Sequence, residues 1–132
     1  MDYQKLYDLA YEKSKEYKIT KHVEVGSVGC ALINENGHIY SGKNLDLYCS
    51  LGMCAERNAI STALSEEVVP INYLICVHKS GQIITPCGAC VEFMKQLDYL
   101  TKDIKIIISL NPLKTLSLTD MVKHWWKEEL HK

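Results

Sequence analysis

Tyr3, Leu6, Tyr7, Ala10, Ser14 and Tyr17 recur at helical spacing with charges between them, which predicts an amphipathic helix over residues 2–18. Val28 to Ile33 is a small apolar run. Asn34-Glu35-Asn36-Gly37 is a turn signal, and Ile39-Tyr40 returns, so 27–42 reads as a β-hairpin. Residues 43–52 have no clear period and read as a loop before a helix over 53–66. Ile71 to Val77 is apolar and β-branched, the pattern of a buried strand. A loop over 79–86 ends in Pro86. The next helix, over 87–98, puts Cys90, Phe93, Met94 and Leu97 on one face. Ile104 to Leu110 is a second buried strand, ended by Asn111-Pro112. A short strand near 114–118 precedes a last helix carrying Met121, Val122, Trp125 and Trp126, with Ser117 and Thr119 as candidate caps. This order predicts an α/β protein with helices packed on a mixed five-stranded sheet.

The chain has 132 residues, enough for one domain with one core. Its 15 basic and 16 acidic residues leave a net charge of -1. Lys13, Lys15, Lys18 and Lys21 interleave with Glu12, Glu16 and Glu24, the pattern of a solvated face and not of a phosphate track. A small free substrate fits this balance better than a nucleic acid. No apolar run approaches the roughly 18 residues of a membrane span. The start, Met1-Asp2-Tyr3-Gln4-Lys5, lacks the layout of a signal peptide, so a cytoplasmic protein is expected. Six cysteines there point to metal or packing and not to disulfides.

The chemistry lies in two short stretches, Cys54-Ala55-Glu56-Arg57 and Pro86-Cys87-Gly88-Ala89-Cys90. Cys87 and Cys90 are spaced to face one metal, but the pair alone equally suits a dithiol redox motif. Cys54 favours metal. It too opens a helix, so all three thiols sit where unpaired N–H groups and the helix dipole favour thiolate. Three thiols leave the fourth position of a tetrahedral zinc open. Glu56 lies three and four residues before Ala59 and Ile60, on the inward stripe of its helix. Either it serves the open position or it bends out to water at the first turn. Arg57 either donates to a ligand sulfur, offsetting the negative charge of three thiolates, or is an ordinary exposed helix arginine.

These two stretches resemble the two zinc motifs of the cytidine deaminase family, and Val28-Gly29-Cys30-Ala31-Leu32 is similar to that family's Val-Gly-Ala-Ala-Leu strand. The resemblance covers most of the chain. It implies a three-layer α/β/α fold around a five-stranded sheet, with Cys54, Cys87 and Cys90 holding one zinc per chain and a water. Glu56 would carry a proton from that water to the base's ring nitrogen and then help move one to the departing amine. Peptide groups at Ala55 and Thr85 would hydrogen-bond the base, and Arg57 would ease the charge of the sulfurs. The activity implied is deamination of cytidine and deoxycytidine in pyrimidine salvage. Cysteine in the first ligand slot favours the small nucleoside branch, whose members are usually homotetramers with active sites at subunit contacts.

Three positions depart from that family. Its sugar-binding Asn-x-Glu appears as Asn44-Leu45-Asp46, the loop from Gly42 to Cys54 is shorter, and Gly26 stands where many members have an aromatic residue. Relatives that deaminate blasticidin S, a cytosine nucleoside analogue, depart at the same places with different residues, so blasticidin S is the alternative substrate. A non-catalytic zinc module closed by Cys49 is a third reading. Cys30 and Cys76 are expected in the core, and Cys49 as packing near the pocket. His38 and His131 are expected in solvent, and His22, His78 and His124 are not assigned to metal. Trp125 and Trp126 are expected in core or interface packing.

Overall fold

The computed structural model describes residues 2–130. The first helix, α1 (Tyr3–Lys13), is followed by β1 (Tyr17–Thr20), β2 (Val23–Asn34), β3 (Ile39–Asp46) and α2 (Ala55–Glu66). Then come β4 (Ile71–His78), β5 (Ile83–Ile84), α3 (Gly88–Gln96), β6 (Lys105–Leu110), β7 (Leu113–Leu116), α4 (Leu118–Met121) and α5 (Trp126–Leu130). The sheet has seven strands in place of the five expected. Strands β3, β2, β4, β6 and β7 lie side by side, while β1 continues the sheet beside β2 and β5 beside β4. Among the described strands β4 and β6 pair in parallel and the other pairs are antiparallel, so the sheet is mixed.

Side-chain alternation divides the core in two. Cys30 and Leu32 of β2, Leu74 and Cys76 of β4 and Ile106 of β6 face α2, α3 and Leu118 of α4. Ala31, Ile33, Ile75, Val77 and Ile107 point the other way, against Leu6 and Ala10 of α1. This is a three-layer α/β/α arrangement. Each fully buried Leu or Ile contributes about 1.5–3 kcal/mol relative to exposure.

Four expected boundaries move, each for a physical reason. The first helix stops at Lys13 because the next segment pairs as a strand, Tyr17 opposite Val25. Strand β2 begins at Val23, since its first residues pair with β1 and β3 on either side. Strand β3 continues to Asp46, so Asn44 and Asp46 lie in a strand and not in a loop. The last helix is two short ones. The Ser117–Asp120 capping box starts α4, and extended Val122 ends it. Thr119 lies inside α4 and caps nothing.

Two glycines let α1 and its exit sit directly on β2. A Cβ on Gly29 would stand 1.9 Å from the Ala10 carbonyl oxygen, and one on Gly26 would stand 2.1 Å from that of Lys15. Gly26 (φ +97°) and Ser27 (φ +73°) form a bulge where β2 shifts register.

Beyond the end of α2, Glu67 gathers the β2–β3 turn. Its carboxylate accepts from Asn36 Nδ2 and Tyr40 OH, each at 2.8 Å, and from His38 Nδ1. These bonds, led by Asn36, lower its pKa from the ordinary 4.5 to about 2. A carboxyl with a depressed folded-state pKa stabilises fully above its unfolded value and loses that contribution as pH falls toward the folded one. Urea titrations of the Glu67→Gln variant should therefore show a shallower loss of stability between pH 4.5 and 2 than the parent chain.

Candidate active site

Two helix starts converge at one end of the α2–α3 face. Cys54 is the N-cap of α2, Cys87 is the N-cap of α3, and Cys90 lies in the first turn of α3. Cys54 Sγ is 3.5 Å from Cys87 Sγ, and Cys87 Sγ is 3.4 Å from Cys90 Sγ. All three sulfurs fall within 4.8 Å of one another. Zn–S bonds of about 2.3 Å at tetrahedral angles put sulfurs roughly 3.8 Å apart, so this donor set fits one zinc ion with little adjustment. Among the described residues no fourth His, Cys, Asp or Glu completes the cluster.

The thiols lie at graded depth: Cys87 is exposed, Cys54 half-buried and Cys90 buried. Burial, aided by the nearby Glu56 charge, drives the Cys90 thiol far above its ordinary range. Burial also opposes ionisation of Cys87, but hydrogen bonds with the Cys90 backbone and with the Cys90 and Cys54 thiols outweigh it and lower its pKa. A bound cation would reverse the penalty on Cys90 by replacing its proton.

Glu56 is buried, at 4% exposure, and lines one cavity with Cys54 and Cys87. The inward reading of its helix position is therefore the one the fold adopts. Arg57 takes the sulfur-facing option, with Nη2 3.7 Å from Cys54 Sγ. That hydrogen bond is the main cause of its raised pKa, against the pull of burial. Its Nε is buried without a partner, a desolvation cost of about 1–3 kcal/mol accepted beside the thiols.

A cavity of about 200 Å³ opens over Glu56, lined by Val28, Asn44, Cys54, Ala55, Ile84, Thr85 and Cys87. The fold thus brings Asn44, Ala55, Glu56 and Thr85 together around the thiols. Asp46 is exposed and does not line this cavity. It lines an adjoining hollow that shares Asn44 and Cys54 and includes Arg57. Two walls, Val28 and Ile84, were not singled out by sequence reasoning. Ile84 belongs to a two-residue strand with no periodic signal, although it directly precedes Thr85.

The Asn44–Cys54 juxtaposition is built by backbone. Leu45 and Met53 exchange hydrogen bonds of 2.8 and 2.9 Å, closing the loop between them. Gly42 lets α2 press on β3, where a Cβ would meet Ala59 N at 2.7 Å. Asn58 Nδ2 then donates to Lys43 O at 2.7 Å. Cys49 is exposed on that closed loop with φ +59°, not packed as expected, and it does not join the cluster. Cys30 and Cys76 are fully buried register partners in the core. Both indole N–H groups of Trp125 and Trp126 donate to Glu92 Oε1 of α3, at 3.0 and 2.7 Å. His38 is exposed and bonds Glu67; His131 lies outside the described residues.

A layered sheet with three thiols at two helix starts is an α/β fold with a donor set that could hold a metal ion. The family described as the cytidine and deoxycytidylate deaminase zinc-binding region matches residues 1–107, and the chain belongs to that family. A curated cytidine deaminase of Sporosarcina psychrophila is 37% identical over 70 residues, 52% of this chain and 52% of that one. The chain spans about half the length of that relative in the match. A blasticidin-S deaminase of Bacillus cereus is 28% identical over 116 residues, covering 80% of this chain and 78% of the relative. In structure the chain resembles the cytidine deaminase of Mycobacterium tuberculosis, with a TM-score of 0.76 at 20% identity, covering 96% of this chain and 98% of that one.

Cobalt substitution tests the ligand set. Thiolate-to-cobalt absorption should have the intensity of three sulfurs per metal ion. Cys87→Ser should lower it, whereas Cys49→Ser should leave it unchanged. Intensity for four sulfurs would place Cys49 on the metal.

Proposed function

We propose that this chain is a zinc-dependent hydrolase that deaminates the cytosine base of a free nucleoside. The leading substrates are cytidine and deoxycytidine, giving uridine or deoxyuridine and ammonia. The observation that carries this reading is the buried Glu56 carboxylate beside a three-thiol cluster that no fourth side chain among the described residues closes. A purely structural zinc site would have four protein ligands and no use for that carboxylate.

When bound, zinc supplies a water of lowered pKa as the nucleophile. Glu56 takes one proton from that water as it adds to C4 and delivers it to the ring nitrogen, where the product keeps it. Glu56 then carries the remaining proton from the new C4 hydroxyl to the amino group, which leaves as ammonia. Peptide groups at Ala55 and Thr85 orient the base. Val28 and Ile84 shield its faces from water. Arg57 draws charge from Cys54 through its hydrogen bond, countering an electron-rich donor set. Among the described residues no Lys or Arg lines the catalytic cavity, which favours a neutral nucleoside over a nucleotide.

Within this reading all 132 residues form one catalytic domain, with one zinc per chain, acting in pyrimidine salvage in the cytoplasm as a homotetramer. No described helix is long and apolar enough to cross a membrane. Blasticidin S is the second substrate to test. The blasticidin-S deaminase relative aligns over 80% of the chain, and Gly26 leaves no room for an aromatic wall.

Glu56→Gln should keep its zinc and lose at least about 100-fold in kcat, the usual size of general acid–base help. The assay follows cytidine loss by ultraviolet absorbance, with ammonia release in parallel. Near-normal turnover would remove Glu56 from the reaction. A specificity constant for blasticidin S well above that for cytidine would make the antibiotic the substrate.

A further inference from the structure

The cavity wall that carries Ile84 and Thr85 rests on little secondary structure. Strand β5 has two residues, joined to β4 by the register pairs Cys76–Ile84 and Val77–Ile83. Its two side chains go to opposite faces of the sheet, as strand alternation requires. Ile84 packs with the core under α2 and α3 and lines the cavity. Ile83 packs the other way, into the core that α1 covers, where Tyr7 also packs. A shift of Ile83 is therefore passed to the next residue, which faces the cavity.

Helix α1 also holds the turn that leads into β5. Tyr7 OH donates to Gly81 O at 2.5 Å. The bonds within the turn cannot replace this one. Gly81 N–H donates to His78 O at 2.8 Å, His78 N–H to Gln82 O at 2.9 Å and Ser80 N–H to His78 Nδ1 at 3.1 Å. They fix the shape of the turn and not its position over α1. Lys79 N–H donates to Ser27 O, which ties only the start of the turn to β2. The ion pair of Lys79 with Glu16, at 3.1 Å, joins side chains about half exposed, so water screens it. Among the described residues, Tyr7 is the side chain that hydrogen-bonds the segment from Gly81 to Thr85 from outside the turn.

We propose that Tyr7 is a positioning residue for the active site: from the opposite face of the sheet, through Gly81 and β5, it sets the Ile84–Thr85 wall against which the base fits. This rests on the deaminase reading. Tyr7 lines neither the cavity nor the thiol cluster. A wall that fits the base acts alike on the ground state and the transition state, so its loss appears in KM and not in kcat.

The experiment compares three zinc-loaded chains: the parent, Tyr7→Phe and Tyr3→Phe. Tyr7→Phe keeps the ring and removes the donor. Tyr3→Phe removes the 3.3 Å bond to Tyr73 OH from the same helix and is the control. Tyr7→Phe should raise KM for cytidine at least about threefold and leave kcat within about threefold, the size of one lost hydrogen bond. Amide exchange over residues 79–86 should quicken by a similar factor, while residues 54–66 keep the parent's rates. Tyr3→Phe should match the parent in KM and in exchange over 79–86. Cobalt absorption should be the same in all three chains. The inference is overturned by a smaller rise in KM, by a loss that falls on kcat instead, or by unchanged exchange over 79–86. It is also overturned by altered cobalt absorption in Tyr7→Phe, or by an equal effect of Tyr3→Phe. A zinc-loaded parent that turns over neither cytidine nor blasticidin S would instead overturn the deaminase reading, and the exchange contrast would still decide whether Tyr7 holds this wall.

Discussion

The site depends on how closely two helices approach one face of the sheet at their N-terminal ends. Gly42 sets that distance for α2. With hydrogen in place of a side chain, Ala59 N and Ala55 O come into contact with β3, and small residues at Ala55, Ala59 and Ala63 continue the close packing. Any larger residue at Gly42 would lever α2 away and take Cys54, Glu56 and Arg57 with it. On α3, Cys90, Val91 and Met94 enter the same core. The thiols thus meet because two apolar faces are buried against one layer, not because the thiols attract one another. Packing in a dense interior transmits small displacements, so this geometry is stiff.

Stability is given up where the chemistry sits. Helices α1 and α4 are capped by side chains, Asp2 and Ser117. Helices α2 and α3 have cysteine at the N-cap, and neither makes a side-chain cap hydrogen bond. Each missing cap costs about 1 kcal/mol relative to Ser or Asp. The uncapped N–H groups and aligned dipoles keep a positive potential at both helix starts. Three thiolates beside a carboxylate need that potential. A good cap would satisfy the same N–H groups and weaken it. The Glu56 carboxylate adds negative charge to this environment and raises the Cys90 thiol further. A cation at the thiols resolves all of these terms at once.

Most of the reactive end was legible in the chain itself. Three cysteines at helix starts and a glutamate in register with Ala59 and Ile60 are local patterns, and α2 and α3 formed close to the expected limits. The strands that frame the pocket were harder to see. Tyr17–Thr20 is wholly exposed and lies among lysines, so its pairing with Val23–Val25 has no hydrophobic signal. The polar segment Lys43–Asp46 read as a loop because its strand character comes from register with β2 and not from its own residues. Ile83–Ile84 is too short for any period. The bulge at Gly26–Ser27 was visible only as a glycine where an aromatic residue was expected. Its cause, the backbone of Lys15–Glu16 crossing behind it, is a contact between distant segments of the chain.

The two ends of the cavity are supported from opposite faces of the sheet. The reacting end hangs on α2 and α3. The outer end hangs on the bulge of β2, which α1 braces through Gly29 and through the segment after Lys13. Ser27 N–H donates to Ser14 O, and Lys79 N–H donates to Ser27 O, so the brace extends to the turn after β4. Changes in α1 packing therefore reach Asn44 and Val28 without crossing the thiol cluster. Replacements around Gly26 can reshape what the cavity admits while Cys54, Cys87, Cys90 and Glu56 keep their geometry.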